Sequence, residues 1–510
     1  MSFPRARTLF AAAFLGALLL RLDAVTTPPL DFAAVRQYHS ALLARVYFLD
    51  DSSALPAWKA RVVDATQTGS DYIEPPILEF ITAGFYHLAG GEHLWIPRVL
   101  SSVFWLAGGL FLYLIARRTM TRMGAGISLV LYLYLPFGIV ASRSFQPDPL
   151  LIALLLAGLF AVLRYYDRPT GSRLVVATGV CGLGGLTKPG ISLPFVCLAF
   201  LALAVSRDGL RAAVSARATL FALGTVAPST IYYLYGTYAD DFLRGQAAAK
   251  FMPELLSEES FWRGWARMAT NVLAYPSSAG TIGLAVLGAA LLGVLFSRGL
   301  EARAMLLGLW SGYALLGLVF TFHISTHDYY SLPLIPIVAL SLGALGSTIE
   351  RQVSSRRVRL ILVGAGLLAV ATAAWKTHTH LTSQTYEAEV KGYEAIGTVT
   401  RHTTQAVFID REYGTPLSYH GWLAGEYWYW PNEQQNVPMT RAAVLEHFRT
   451  RLEGMAPEFL IVTATEELER EQGLRAFIKG LPIVTQTARY SVFALTEDAP
   501  AAVDFRAALR

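Results

Sequence analysis

Residues 5–39 read RARTLFAAAFLGALLLRLDAVTTPPLDFAAVRQYH. Arg5 and Arg7 precede an apolar run over 8–23. A Pro-Pro pair, a lone acidic residue at Asp31 and a helix-like stretch with Arg36, Gln37 and His39 follow. Basic residues ahead of a short apolar core suit either a secretory signal or a first membrane span. The run ends Leu20-Arg21-Leu22-Asp23, without a small-residue cleavage pattern, so it reads as a retained span with its basic end inside.

The same alternation continues along the chain. Further apolar runs lie near 97–116, 124–141, 149–164, 173–187, 190–206, 218–236, 280–297, 304–323, 329–349 and 358–375, which makes eleven candidate spans. Of the 510 residues, 54% are hydrophobic and only 15% charged, against about 25% charged in an ordinary soluble chain. Most of this chain is therefore expected in lipid. The net charge of +5 comes from arginines at the ends of apolar runs, so it is not a nucleic-acid footprint. Cys181 and Cys197 both lie inside apolar runs, which excludes a disulfide scaffold and a Cys-x-x-Cys metal site. No cofactor is expected, and a divalent metal is not indicated.

The arginines set the topology. With the N-terminus inside, the later inside ends carry Arg117/Arg118/Arg122, Arg164/Arg168/Arg173, Arg207/Arg211/Arg217, Arg298/Arg303 and Arg351/Arg356/Arg357/Arg359, as the positive-inside rule requires. A short run at 77–90 carries Glu79 and His87. Counting it as a span would turn every one of these clusters outward, so it reads as a helix lying at the outer interface. The organisation expected is a membrane module over 1–375, with outer loops at 24–96 and 237–279, and a soluble outer domain over 376–510. In the tail, strand-like runs Ala406–Ile409, Phe459–Val462 and Tyr490–Leu495 alternate with helical stretches near 440–453 and 466–480, which predicts a small α/β domain. Within the second loop, Phe261, Trp262, Trp265 and Met268 predict one apolar face of a helix near 258–272, at the interface or packed under the tail.

Ionisable groups at the water-facing ends of spans are the informative ones. Four clusters fall on the outer side. Asp31, with Arg36 and His39, follows the first span. It reads either as the N-cap of the helix that begins there or as a general base taking a proton from an attacking hydroxyl. Tyr72-Ile73-Glu74-Pro75-Pro76 opens the interfacial helix. Ser142-Arg143-Ser144-Phe145-Gln146-Pro147-Asp148 ends the third span; its Arg143 sits on the side where a cation is disfavoured and calls for an anionic partner, Asp148 or a ligand. Lys188, in the turn Leu186-Thr187-Lys188-Pro189-Gly190, suits a phosphate as a point charge or snorkels to the surface. A fifth element is His327-Asp328-Tyr329-Tyr330.

The order of these motifs resembles the GT-C glycosyltransferases: a first span, an Asp-bearing outer loop, a Pro-Pro interfacial helix, a second span from Arg98, the Leu-Thr-Lys turn at 186–188 and Tyr-Tyr-x-x-Pro-x-x-Pro from Tyr329. The branch most similar includes the dolichyl-phosphate-mannose protein mannosyltransferases and the lipid A aminoarabinose transferases. The resemblance covers about 1–350. It implies an α-helical polytopic fold, a lipid-phosphate-sugar donor and inverting transfer, with Asp31 at the position of the catalytic Asp. Many relatives have Asp-Glu where this chain has Asp31-Phe32, and Lys or His where it has Glu74. The donor phosphate is then left to Arg36, Arg143 or Lys188, with Glu74 facing the acceptor or pairing with one of these cations.

The reading that results is an integral-membrane glycosyltransferase of a bacterial inner membrane. It would move a sugar from a polyprenyl-phosphate donor to an outer hydroxyl on a lipid, glycan or protein. Asp31 is the expected base; Arg36, His39, Glu74, Arg143, Asp148, Lys188, His327, Tyr329 and Tyr330 are the expected substrate contacts. Rival readings are an oligosaccharide-transferring enzyme of the same fold, a transporter or lipid flippase, and a non-catalytic sensor. A transporter would place charge at mid-membrane and show paired halves; the runs are nearly charge-free and no two halves match.

Overall fold

The computed structural model describes residues 3–50, 55–69, 73–239, 243, 251–275, 280–428, 440–452, 455–470 and 472–495. Each of the eleven apolar runs is helical. In chain order the helices are α1 (Phe3–Leu22), α2 (Ala34–Phe48), α3 (Ala57–Gly69), α4 (Ile77–Ala89), α5 (Trp95–Thr119), α6 (Arg122–Tyr134), α7 (Pro136–Ala141), α8 (Asp148–Asp167), α9 (Gly171–Thr187), α10 (Leu193–Asp208), α11 (Ala216–Tyr238), α12 (Glu259–Ala274), α13 (Gly280–Leu295), α14 (Leu300–Val319), α15 (Thr321–Thr326), α16 (Leu334–Gln352) and α17 (Arg356–Leu381). Among the described residues, five segments are long and apolar enough to cross a membrane: α5, α8, α14, Asp328–Gln352 and α17. The third expected run, 124–141, is not one helix. Pro136 removes a backbone donor, and α6 stops at Tyr134 before α7 starts.

The chain divides into two units. The first comprises Met1–Thr26, Asp71–Leu78 and Trp95–Gln384; the second comprises Thr27–Ser70, Glu79–Leu94 and Thr385–Arg510. The segment that carries Asp31 thus folds with the tail.

In the first unit the helix ends sort into two sets. At one end Arg118 pairs with Asp167 at 2.5 Å and Glu301 at 2.7 Å, and Arg207 pairs with Glu301 at 3.2 Å. These bridges join the last turns of α5, α8 and α10 to the first turn of α14. Thr121, Thr170, Ser215 and Ser355 cap the helices that leave the basic clusters, each accepting a backbone N–H at the helix start, a contribution of about 1 kcal/mol apiece. The other end gathers the ends of α1 and α7, the start of α8 and the end of α9, described below. Between them, α14 presents Gly308 and Gly312 to α10. A Cβ at Gly308 would lie 2.5 Å from Ala199 Cα, and one at Gly312 would lie 2.7 Å from Phe195 Cα. A small-xxx-small seam of this kind lets two backbones meet without a hydrophobic driving force.

Two further helices depart from these tight contacts in opposite ways. The helix expected near 258–272 is α12, and its aromatic face is divided. Phe261 and Met268 are buried, while Trp265 donates to the Tyr313 hydroxyl at 3.0 Å and Trp262 remains exposed. By contrast, α17 has none of its apolar window buried. Its C-terminal end is fixed by a hydrogen bond between His378 Nδ1 and the Asp23 carboxylate.

The second unit holds a five-stranded sheet ordered β2-β1-β3-β5-β4, where β1 is Ala406–Ile409, β2 Gly425–Tyr427, β3 Phe459–Val462, β4 Ile483–Gln486 and β5 Ser491–Ala494. Strands β2, β1 and β3 run parallel; β5 is antiparallel to both β3 and β4. Strands β1, β3 and β5 fall in the runs read as strands, and β1 and β3 are buried throughout, as continuous apolar strands in a covered sheet should be. Helix α18 (Glu387–Val399) and helix α19 (Thr415–Gly421) cover one face, where Ile396 and Leu417 pack with Phe408 and Ile461. Helices Arg441–Arg451 and Gln472–Ile478 cover the other.

Candidate functional site

Helix α8 starts where its hairpin partner α9 ends, so Asp148, the first residue of α8, meets Lys188, which caps α9. The Lys188 ammonium lies 2.9 and 3.1 Å from the two Asp148 carboxylate oxygens. Both residues are nearly inaccessible, at 3% and 4% exposure. Tyr329 and Tyr330 place their ring centroids 4.8 and 4.6 Å from the ammonium, within cation–π range. His327 adds its ring 5.5 Å from Tyr329 and 6.3 Å from Tyr330, and its Nδ1 lies 2.7 Å from the Thr326 hydroxyl. An ammonium has three donors. Two of its contacts go to the carboxylate, which offsets its charge, and the two tyrosine rings flank it.

The pairing of Arg143 with Asp148, one of the two partners read from the sequence, is not what forms. Asp148 goes to Lys188. The Arg143 guanidinium, 1% exposed, donates instead to the backbone carbonyls of Asp23 at 2.5 Å and Ala24 at 2.8 Å. These carbonyls follow α1, and a planar fork suits two adjacent acceptors. Arg21 ties the same corner together, donating to the Ser142 hydroxyl at 2.7 Å and to the Ala17 carbonyl at 3.0 Å. Glu74 is half-buried in the turn before Pro75 and Pro76, where the Ile77 N–H bonds the Pro75 carbonyl at 2.7 Å. Tyr72 of that cluster lies outside the described residues.

In the second unit Asp31 sits half-buried in a bend, and Arg36 and His39 lie half-buried on α2. Asp31 is not the N-cap. Helix α2 starts at Ala34, and its N-cap is Ala33, in the left-handed region at φ 41° with no side-chain cap bond. That conformation costs a non-glycine residue about 1–2 kcal/mol. The capping oxygen comes from 377 residues away: Glu412 Oε2 accepts the Val35 N–H at 3.0 Å. Gln37 donates to the carbonyls of Phe32 at 2.6 Å and Pro29 at 3.3 Å, on either side of Asp31. Burial pushes the Glu412 carboxyl up from its ordinary value, opposed by the Val35 bond.

Sequence reasoning missed Glu412 and Arg45 altogether. Arg45, buried on α2, pairs with Glu92 at 2.9 Å and is sandwiched by Tyr419 at 3.9 Å and Trp422 at 3.8 Å. Tyr38 meets His420 at 2.7 Å. Burial, with the Arg45 charge adding, holds His420 down at about 4. Only an arginine on an otherwise apolar helical face hinted at the first of these anchors. Among the described residues no group of three or more His, Cys, Asp or Glu is arranged to hold a metal ion.

A family model described as dolichyl-phosphate-mannose-protein mannosyltransferase matches residues 73–232. The structure is similar to ArnT from Cupriavidus metallidurans bound to undecaprenyl phosphate, with TM-score 0.60 and 15% identity over 97% of this chain and 99% of that one. It is also similar to the Archaeoglobus fulgidus oligosaccharyltransferase in complex with Zn and sulfate, with TM-score 0.52 and 13% identity over 89% of this chain and 68% of that one. A third likeness is to the arabinofuranosyltransferase AftD from Mycobacteria, with TM-score 0.50 and 15% identity over 96% of this chain and 42% of that one. No curated protein matches by sequence. The chain shares the fold of these solved structures, the fold that the resemblance in its motifs implied.

Proposed function

We propose that this chain is an inverting membrane glycosyltransferase that takes a sugar from a polyprenyl-phosphate carrier and delivers it to an extracytoplasmic hydroxyl. The observation that carries the reading is the buried Lys188–Asp148 pair walled by Tyr329 and Tyr330, in a fold shared with an enzyme whose structure holds undecaprenyl phosphate. The donor is already activated. Asp31 takes the proton of the acceptor hydroxyl, and that oxygen forms a bond to the anomeric carbon. The bond from that carbon to the phosphate oxygen breaks, and polyprenyl phosphate leaves with the electron pair and one further negative charge. Lys188 and Arg143 stabilise that growing charge, an effect larger in the transition state than in the ground state. Asp148 holds the ammonium in place before the donor arrives. Arg36, His39, His327, Tyr329 and Tyr330 contact donor or acceptor, and Glu74 faces the acceptor.

The lipid tail lies among the spans, and membrane lipid is part of the working enzyme. The N-terminus is assigned to the cytoplasm and the second unit to the periplasmic side. The helix ends joined by Arg118, Arg207 and Glu301 support this, because these are the basic ends that the positive-inside rule puts in the cytoplasm. Mass spectrometry of products, after membranes are incubated with isotope-labelled polyprenyl-phosphate sugars, tests the proposal. A labelled monosaccharide on an endogenous acceptor supports it. Transfer of a whole oligosaccharide moves the enzyme to the second chemistry of this fold. Labelled donor that changes leaflet with its sugar still attached makes it a flippase.

A further inference from the structure

The bend that carries Asp31 is held from within by Gln37 and also from the tail. It lies between Pro28-Pro29 and the first turn of α2, and the residue at the helix start, Ala33, offers no capping side chain. One set of these holds comes from the tail. Glu412 Oε2 accepts the Val35 N–H at 3.0 Å, and the Thr415 hydroxyl lies 3.2 Å from the Val35 carbonyl. One peptide group on each side of Val35 is thereby held by two residues of one turn. That turn is itself braced. Asp410 Oδ1 accepts the backbone N–H groups of Glu412 at 2.7 Å and Gly414 at 3.1 Å, while Asp410 Oδ2 accepts the Thr463 hydroxyl just past β3. A continuous path of bonds therefore runs from the sheet, through Asp410 and Glu412, to the first turn of α2. From there Gln37 closes it, bonding the Phe32 and Pro29 carbonyls that bracket Asp31.

We infer that Glu412 is a positioning residue for Asp31, and that the tail domain sets the geometry of the base. The inference rests on the assignment of Asp31 as the base. The carboxylate also sits at the positive end of α2, where a negative charge is favoured. Its useful property here is the acceptor oxygen. A glutamine at 412 keeps that oxygen, whereas an alanine does not. Placement matters to a general base because a shift on the order of 1 Å can cost about 10²-fold in rate.

The test uses full-length protein in nanodiscs, in the forms wild type, Glu412→Ala, Glu412→Gln, Thr415→Val and Asp31→Asn. The first readout is hydrogen exchange of the backbone over 28–38, which depends on no assumed activity. Exchange there should rise at least severalfold in Glu412→Ala and stay near wild type in Glu412→Gln. The second is transfer from a labelled undecaprenyl-phosphate sugar, measured in membranes that hold each variant together with their endogenous acceptors. Glu412→Ala should lower kcat roughly 10- to 100-fold with the donor KM within about twofold, and Glu412→Gln should recover most of it. Thr415→Val, which removes the second hold on Val35 and leaves Glu412 in place, should show the same split in weaker form; it serves if Glu412→Ala does not fold. Unchanged exchange in Glu412→Ala overturns the inference, as does a glutamine variant as impaired as the alanine. Full turnover in Asp31→Asn instead removes the base assignment, and the exchange result then still decides whether Glu412 orders this segment.

Discussion

Lys188 and Asp148, forty residues apart in the chain, form an ion pair of 2.9 Å that is buried at the junction of α8 and α9. A buried pair is a poor source of stability, yet breaking one side of it is costly. The carboxylate left behind is desolvated and uncompensated, at about 3–5 kcal/mol. This asymmetry separates a structural role from a functional one.

Lys188→Met should therefore lower the unfolding temperature and abolish transfer together. Lys188→Met combined with Asp148→Leu should recover most of the lost stability, since a matched apolar pair often replaces a buried ion pair without loss. Transfer should stay absent, because the phosphate has lost its cation. Thermal unfolding by intrinsic fluorescence and a transfer assay on the same preparations check this. A double variant that regains turnover would remove Lys188 from the chemistry.

Asp31→Asn should reduce transfer by about 10²–10⁴-fold, the usual cost of losing a general base. Because Asp31 caps no helix and Glu412 does, the unfolding temperature should hardly move. Donor retention on immobilised protein should also persist. An asparagine variant that unfolds early instead marks Asp31 as a structural residue.

Stability of the second unit should fall as pH drops from about 6.5 toward 4. The pKa of His420 is held down at about 4 in the folded protein, so the unfolded chain takes up a proton that the native one refuses. The stabilisation is complete above the unfolded value near 6.5. It is lost as pH falls toward the folded value, and amounts to at most about 3 kcal/mol. Unfolding followed from pH 7.5 to 4 should show this slope in the wild type and a flatter one in His420→Gln, which retains a partner for Tyr38. Parallel curves would disprove the linkage.

Lys391, exposed on α18, offers a test of sidedness. Lys391→Cys should react with a membrane-impermeant thiol reagent in spheroplasts, while the native Cys181, which is buried, should not. Labelling only after lysis would place the second unit in the cytoplasm and reverse the orientation.

Gly308→Val should destabilise the seam between α10 and α14, by about 1–3 kcal/mol for an overpacked contact. The added Cβ would meet the Ala199 backbone at 2.5 Å, and backbone cannot step aside as a flexible side chain can. Gly288, with nothing near its Cβ position, is the control. Equal unfolding temperatures for the two valine variants would discount the seam.

Local patterns carried much of the fold. Each of the eleven apolar runs is helical, the third as two helices, and the tail's strands β1 and β3 start and end where the hydrophobic runs do. Pro136 is the exception, since it lies inside an apolar run that continues past it while the helix does not: α6 ends at Tyr134. The candidate site was legible residue by residue but not pair by pair. Arg143 and Asp148 are five positions apart and were natural partners on sequence distance. The hairpin of α8 and α9 instead brings the Lys188 ammonium to 2.9 Å from Asp148. Nothing local announces that Glu412 will cap a helix beginning at Ala34, because a capping oxygen needs only to be near the N–H, from whatever distance along the chain it comes.

The open sides of α17 carry a consequence of their own. None of its apolar window is buried against the rest of the protein, so tilt is one of the ways that helix can answer a change in bilayer thickness. One of its ends is moored where the His378 ring meets Asp23, and the backbone carbonyl of that same Asp23 accepts from Arg143. Changing acyl-chain length is therefore expected to push on the corner around Arg143 through a lever made of one helix, without altering a single residue.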